Sequence, residues 1–177
     1  MTTQIIAQSQ IDYINQSDEF SNSSTLLKFA FKNFNSNIAL ASSFGLEDVV
    51  LIDIMTKINP KSRVFTLDTG RLNPETYDVM DEIREKYNIK IEIYFPNTNS
   101  VEKMVSGKGI NLFYESVENR QTCCGIRKIE PLNRALNSLD AWITGIRMDQ
   151  TSNRKDMKRI EIDNEIIAKI ARVAGAP

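Results

Sequence analysis

Apolar residues recur at helical spacing from Thr25 to Phe34, where Leu26, Leu27, Phe29, Ala30, Phe31 and Phe34 form a stripe. The capping-type residues Ser23 and Ser24 precede it. A short unbroken apolar run, Ile38 to Ala41, predicts a buried strand that enters the turn Ser42-Ser43-Phe44-Gly45. From Glu47 to Ile58 the pattern is helical again but apolar on nearly every side, with Val49, Val50, Leu51, Ile52, Ile54 and Met55. Such a helix is expected to be largely buried, and Asn59-Pro60 stops it. Arg63 to Leu67 reads as a second strand, and Pro74 opens a helix running to Tyr87 with acidic residues in and near its first turns. Ile89 to Phe95 alternates as a third strand ended by Pro96. One or two helical segments fill Val101 to Glu118, another runs from about Thr122 to Leu139, and Ala141 to Ile146 is a fourth strand. Leu112, Phe113, Tyr114 and Val117 read as a core stripe, and Trp142, within a strand, as core. The alternation predicts one α/β domain over residues 1–177, a mainly parallel twisted sheet with helices on both faces.

Composition narrows the chemistry. At 177 residues and 41% hydrophobic content the chain can bury one sizeable core. Twenty-two basic against twenty-three acidic residues give no electrostatic case for a nucleic-acid partner. No apolar run approaches the roughly 20 residues of a membrane span, and the first residues carry neither a charged stretch nor a long apolar one. With only two cysteines, this fits a reducing, cytoplasmic compartment and no membrane. Histidine is absent altogether, which excludes a histidine general base, a Ser-His-Asp triad and any imidazole-held metal.

Ligands of such sheets bind beyond the carboxyl ends of the strands. After the first strand, Ser42, Ser43, Phe44 and Gly45 lead into Leu46-Glu47-Asp48, a strand-to-helix turn that reads either as an anion cradle or as a tight turn with serine caps. After the second comes Leu67, Asp68, Thr69, Gly70 and Arg71, a polar loop with a cation. After the fourth, Gly145, Arg147, Gln150 and Arg154 lie in a breaker-rich segment that suits either an anion clamp or a solvated charged loop. Cys123 and Cys124 stand side by side, followed by Arg127 and Lys128. Neighbouring Cα atoms, about 3.8 Å apart, are too close for an ordinary disulfide. Nearby cations favour thiolates. A thiolate-held metal centre fits this pair, and so does simple packing; a four-ligand site would find only half its ligands here.

Together, Ser-Ser-Phe-Gly-Leu-Glu-Asp at 42–48, Leu-Asp-Thr-Gly-Arg-Leu-Asn-Pro-Glu-Thr-Tyr at 67–77, Cys-Cys-Gly-Ile-Arg-Lys-Ile-Glu-Pro-Leu at 123–132 and Thr-Gly-Ile-Arg-Met-Asp-Gln-Thr at 144–151 resemble the assimilatory adenylyl-sulfate and phosphoadenylyl-sulfate reductase family. The resemblance runs from about Ile38 to Asp163. It implies a PP-loop nucleotide-binding fold of the adenine nucleotide alpha hydrolase-like type. The turn at 42–48 and Lys128 would face the phosphosulfate, residues 67–71 the nucleotide, and Arg147 and Arg154 would close over the anion. The Cys pair points to the adenylyl-sulfate branch, in which it holds part of a 4Fe-4S cluster. The family reaction sends a thiolate onto the sulfonyl sulfur of adenylyl sulfate, releasing AMP, and thioredoxin then frees sulfite for cysteine biosynthesis.

In the family a second Cys pair and a nucleophilic cysteine lie beyond the segment matched here; this sequence has neither and ends at Pro177. The expectation is therefore a nucleotide-binding portion with no catalytic cysteine and two of four cluster ligands, inactive by itself. Two chains pooling their pairs would be the homo-oligomeric alternative. A non-catalytic adenine-nucleotide-binding domain, a phosphoadenylyl-sulfate reductase and a magnesium-dependent PP-loop adenylyltransferase are the competing readings.

Overall fold

A computed structural model describes residues 6–146, 158–163 and 170–174 of the chain. Helix α1 spans Gln8–Gln16 and buries Ile11 and Ile14. Helix α2, Ser23–Phe34, is capped by Asn22, whose side chain accepts the Ser24 N–H, so the cap lies one residue before the two serines. Strand β1 (Ile38–Ala41), helix α3 (Leu46–Ile58), strand β2 (Arg63–Leu67) and helix α4 (Pro74–Tyr87) follow. Asn88 ends α4 in the left-handed conformation at φ 48°, a residue type that tolerates it.

Strand β3 is Ile91–Tyr94, shorter than the alternation predicts, and α5 is Thr98–Lys108. A 3₁₀ turn at Leu112–Tyr114 leads into one continuous helical stretch: α6 (Val117–Cys124), a π turn (Gly125–Ile129) and α7 (Glu130–Leu136). Pro131 accounts for the π turn. It has no N–H for the Arg127 carbonyl and its ring crowds that oxygen, so the turn widens and Glu130 donates to Gly125 instead. Strand β4 is Ala141–Thr144. Two strands not expected from the pattern, β5 (Ile160–Asp163) and β6 (Ile170–Ala174), extend the sheet.

The strand order is β3-β2-β1-β4-β6-β5, parallel throughout except for the β5–β6 pair. Period-two alternation sends Ile38 and Leu40 of β1 to one face, against Leu26, Leu27, Leu51 and Ile52 of α2 and α3. Ala39 goes to the other, with Phe65, Trp142, Ala135 and Leu136. The small alanine leaves room there for the two large aromatics. Two burial expectations need correction. Leu46 is 84% exposed and Val50 53%, so α3 buries one face rather than most of its surface. Tyr114 and Val117 are exposed as well, because only Leu112 and part of Phe113 turn into the small core beneath α5. Among the described residues no helix is long and apolar enough to cross a membrane.

Arg63 of β2 and Glu92 of β3 pair across the sheet at 2.7 Å, both partly buried. The hydrogen bonds from Arg63 hold the Glu92 carboxyl below its usual pKa, against the opposing effect of burial. A depressed carboxyl pKa contributes stability that is full above the unfolded value, near 4.3, and is lost as pH falls through the folded one. Glu92→Gln should therefore lower unfolding free energy by about 0.5–1 kcal/mol at pH 7. The gap should close below about pH 4. Urea midpoints across that range check it; a gap that persists in acid would remove the ion pair as its cause.

Candidate functional site

The chain moves from β1 to β2 and β3 on one side, then places β4 on the other side of β1. The carboxyl ends of β1 and β4 thus flank the switch point where doubly wound sheets open a crevice. At the end of β1, Asp48, the third residue of α3, reaches back. Its Oδ2 accepts the Ser43 N–H at 2.6 Å and the Ser43 hydroxyl at 2.9 Å, tying the first turn of α3 to the chain two residues ahead of its N-cap, Gly45. Ser42 donates its N–H to the Phe65 carbonyl, and its Oγ accepts the Phe44 N–H at 3.0 Å. Phe44 sits at φ 60° with its ring in the core, an unfavourable backbone held by burial of the side chain. Three successive N–H groups are therefore used within the chain, and at these positions the turn is a braced wall, not an open cradle.

The loop after β2 is braced similarly. Buried Asp68 accepts the Gly70 N–H at 2.8 Å and the Tyr77 hydroxyl at 3.0 Å, while its own N–H donates to the Tyr94 carbonyl. The hydrogen bond to Asp68 raises the Tyr77 phenol pKa, with burial adding to it. Gly70 takes φ 69°, where a side chain is disfavoured. Arg71 turns away from the crevice: its guanidinium donates to Asn111 Oδ1 at 3.1 Å and stacks 4.9 Å from the Phe113 ring.

A cavity of ≈ 310 Å³ opens between these loops. Ser42, Ser43, Thr69, Thr76 and Lys128 supply its polar wall; Phe65, Leu67, Leu72, Leu132 and Trp142 its apolar floor. Beside it lies a second cavity, ≈ 320 Å³, lined by Ser43, Glu47, Asp48, Thr144 and Gly145. Ser43 and Trp142 border both. The Trp142 indole N–H and the Thr144 hydroxyl are buried without a hydrogen-bond partner among the described residues. Of the residues read from sequence, Ser42, Ser43, Leu67, Thr69 and Lys128 meet in the first cavity and Gly145 in the second. Phe44, Gly45, Asp68, Gly70 and Arg71 line neither and shape the loops instead. Arg147, Gln150 and Arg154 lie outside the described residues. Asp48, Tyr77 and Thr76 were not among the expected site residues. Only the placement of Asp48 as third residue of a helix, with serines just upstream, signals its role.

Cys123 is buried among Met104, Leu112 and Ile126; Cys124 is partly exposed. Among the described residues no group of three or more histidine, cysteine or acidic side chains gathers to hold a metal. The two thiols by themselves do not meet the four-ligand requirement of a thiolate-held cluster.

The sequence profile of the phosphoadenosine phosphosulfate reductase domain matches residues 37–173. The chain is 45% identical over 139 residues to an adenosine 5'-phosphosulfate reductase of Pseudomonas aeruginosa, covering 78% of this chain and 51% of that protein. It is 46% identical over 135 residues to the chloroplastic 5'-adenylylsulfate reductase 3 of Arabidopsis thaliana, covering 76% of this chain and 29% of that one. The chain thus spans about half the length of the bacterial relative and less of the plant one. In fold it is similar to the crystal structure of a phosphoadenylyl-sulfate reductase from Candida auris, with a TM-score of 0.79 at 24% identity, over 97% of this chain and 80% of that one. A Candida glabrata FMN adenylyltransferase is a more distant likeness in fold, with a TM-score of 0.53 at 11% identity over 98% of this chain and 61% of that one.

Proposed function

From the premise that this chain belongs to the phosphoadenosine phosphosulfate reductase domain family, we propose that it binds adenylyl sulfate as the nucleotide-holding part of an adenylyl-sulfate reductase. The observation that carries this reading is the cavity at the switch point, with hydroxyls and one ammonium on its wall and aromatic and aliphatic side chains on its floor. Purine stacking suits such a floor, and a phosphosulfate suits such a wall. Identity near 45% to proteins named for adenosine 5'-phosphosulfate favours that substrate over its 3'-phosphorylated form.

In the proposed reaction a thiolate attacks the sulfonyl sulfur, an S–S bond forms, and the S–O bond to AMP breaks with its electron pair leaving on the phosphate. Lys128 would neutralise charge that grows on that leaving oxygen. A second thiolate, from thioredoxin in this reading, then attacks the cysteine sulfur of that S-sulfonate. The S–S bond to the sulfonate breaks with its electron pair leaving on sulfite, and a disulfide joins the two thiols. Cys123 and Cys124 would be two of the four thiolates of a 4Fe-4S cluster, which supplies local charge when bound. Since the pair alone does not complete such a site, no step passes through it.

The test uses the single tryptophan. Trp142 borders the cavity, so AMP binding should change its fluorescence, and calorimetry gives the affinity. Lys128→Ala removes a charge-assisted bond, so affinity should fall about ten- to a hundredfold. Adenylyl sulfate should bind in competition with AMP, and ATP with magnesium should not displace it. Absence of AMP binding, or affinity indifferent to Lys128, would sink the reading.

A further inference from the structure

Arg127 lies in the π turn, three residues after the cysteine pair, and is 9% exposed. A guanidinium so buried is costly unless something pairs with it. No carboxylate within ion-pair distance is recorded for it among the described residues. Its Nη1 donates to the Thr69 carbonyl at 2.6 Å, while its Nε is buried without a partner among the described residues. Nη1 would stand 3.3 Å from a Cβ at Gly70. The side chain therefore spans from the cysteine-bearing helix to the loop after β2, where Thr69 borders the cavity.

We propose that Arg127 is a positioning residue for the nucleotide site: it holds the 68–70 turn against the π turn and thereby sets ligand affinity without lining the cavity. The proposal rests on the reading of this cavity as a nucleotide site. Three features converge on it. The bond to Thr69 is short and charge-assisted, the strong kind. Within the turn it grips, the side-chain braces are local: Asp68 accepts the Gly70 N–H and the Thr69 hydroxyl the Arg71 N–H, so the bond from Arg127 ties it to the cysteine-bearing helix. Gly70, at φ 69°, leaves the space that the guanidinium fills. Pro131 completes the device, since the widened turn it imposes is the one that carries Arg127. Because Lys128, the next residue, lines the cavity wall, one turn both braces the loop and supplies the cation.

The experiment compares the full chain with Arg127→Ala and Arg127→Lys, and with Arg127→Gln in place of the alanine variant should that fail to fold. Two quantities are read: hydrogen exchange of the Gly70 amide without ligand, and AMP affinity. In Arg127→Ala the Gly70 amide should exchange at least about tenfold faster while amides of β1 hold, and AMP should bind at least about tenfold more weakly. Arg127→Lys, which keeps a charged donor for the Thr69 carbonyl, should recover part of both. Gly70 exchange as in the wild type would overturn the proposal, even with a lowered melting temperature. If the wild type fails to bind AMP, the nucleotide reading falls. The exchange result still judges Arg127 by itself.

Discussion

Gly145→Ala is expected to lower unfolding free energy by about 3 kcal/mol, at the upper end for overpacking, and to abolish AMP binding. A Cβ at Gly145 would stand 2.1 Å from Asp48 Oδ1, 3.2 Å from its Cγ and 3.3 Å from its backbone N. An exposed acid would swing aside, but Asp48 is buried and committed to Ser43 by two hydrogen bonds. If its side chain moves, the Ser43 N–H and hydroxyl lose a part-buried, charge-assisted acceptor, a loss of about 1 kcal/mol or more. If instead the backbone yields, the end of β4 separates from β1 at the Ala41–Thr144 rung. Either route distorts the wall shared by both cavities. Urea denaturation gives the magnitude, and a double-mutant cycle the cause. Asp48→Ala alone should be destabilising, yet Gly145→Ala added to it should cost little more, because the colliding carboxylate is gone. Additive losses, or a Gly145→Ala protein within about 0.5 kcal/mol of wild type, would show that Asp48 does not require the missing side chain.

This contact marks the boundary of what the sequence discloses. The bounds of β1 and β2 are legible because short apolar runs flanked by turn residues leave no other reading. Helix α4 is equally plain, with Pro74 at its first position and Asn88 at its end. Where apolar residues occur all round, as in α3, periodicity carries no information about the buried side, and Leu46 and Val50 prove exposed. The helix expected from about Thr122 to Leu139 already runs across Pro131. What the pattern does not disclose is its start at Val117 and the π turn ahead of that proline, because a proline at this spacing is read as a break or a kink and not as a widened turn. The site is half legible for a related reason. Ser42, Ser43 and Thr69 follow strand ends, and topology alone brings those ends together. The direction of a loop arginine depends on distant partners. Arg71 is drawn off by Asn111 and Phe113, some forty residues on, while Arg127 reaches 58 residues back to Thr69.

Phe65→Ala should cost about 3–5 kcal/mol, against a total for a domain of this kind of about 5–15 kcal/mol. Phe65 is 1% exposed at the middle of β2, paired in register with Ala41 and with Glu92, so the strand cannot shift to refill the space. Its ring meets Tyr94 edge-to-face at 5.9 Å and packs with Leu136 and Trp142 under α7. The same ring forms part of the cavity floor, so the void left by alanine opens toward the proposed ligand. Two effects should therefore appear together: a lower urea midpoint with the slope unchanged, and weaker AMP binding measured where the variant is still folded. Phe65→Leu separates them. It keeps most of the apolar volume and should lose far less stability, but it removes the flat face beneath a purine. AMP affinity that falls with leucine as much as with alanine would assign Phe65 to the ligand; affinity that follows stability alone would confine it to the core. A loss below about 1 kcal/mol in Phe65→Ala would mean that the floor collapses onto the void, against the register that holds β2 in place.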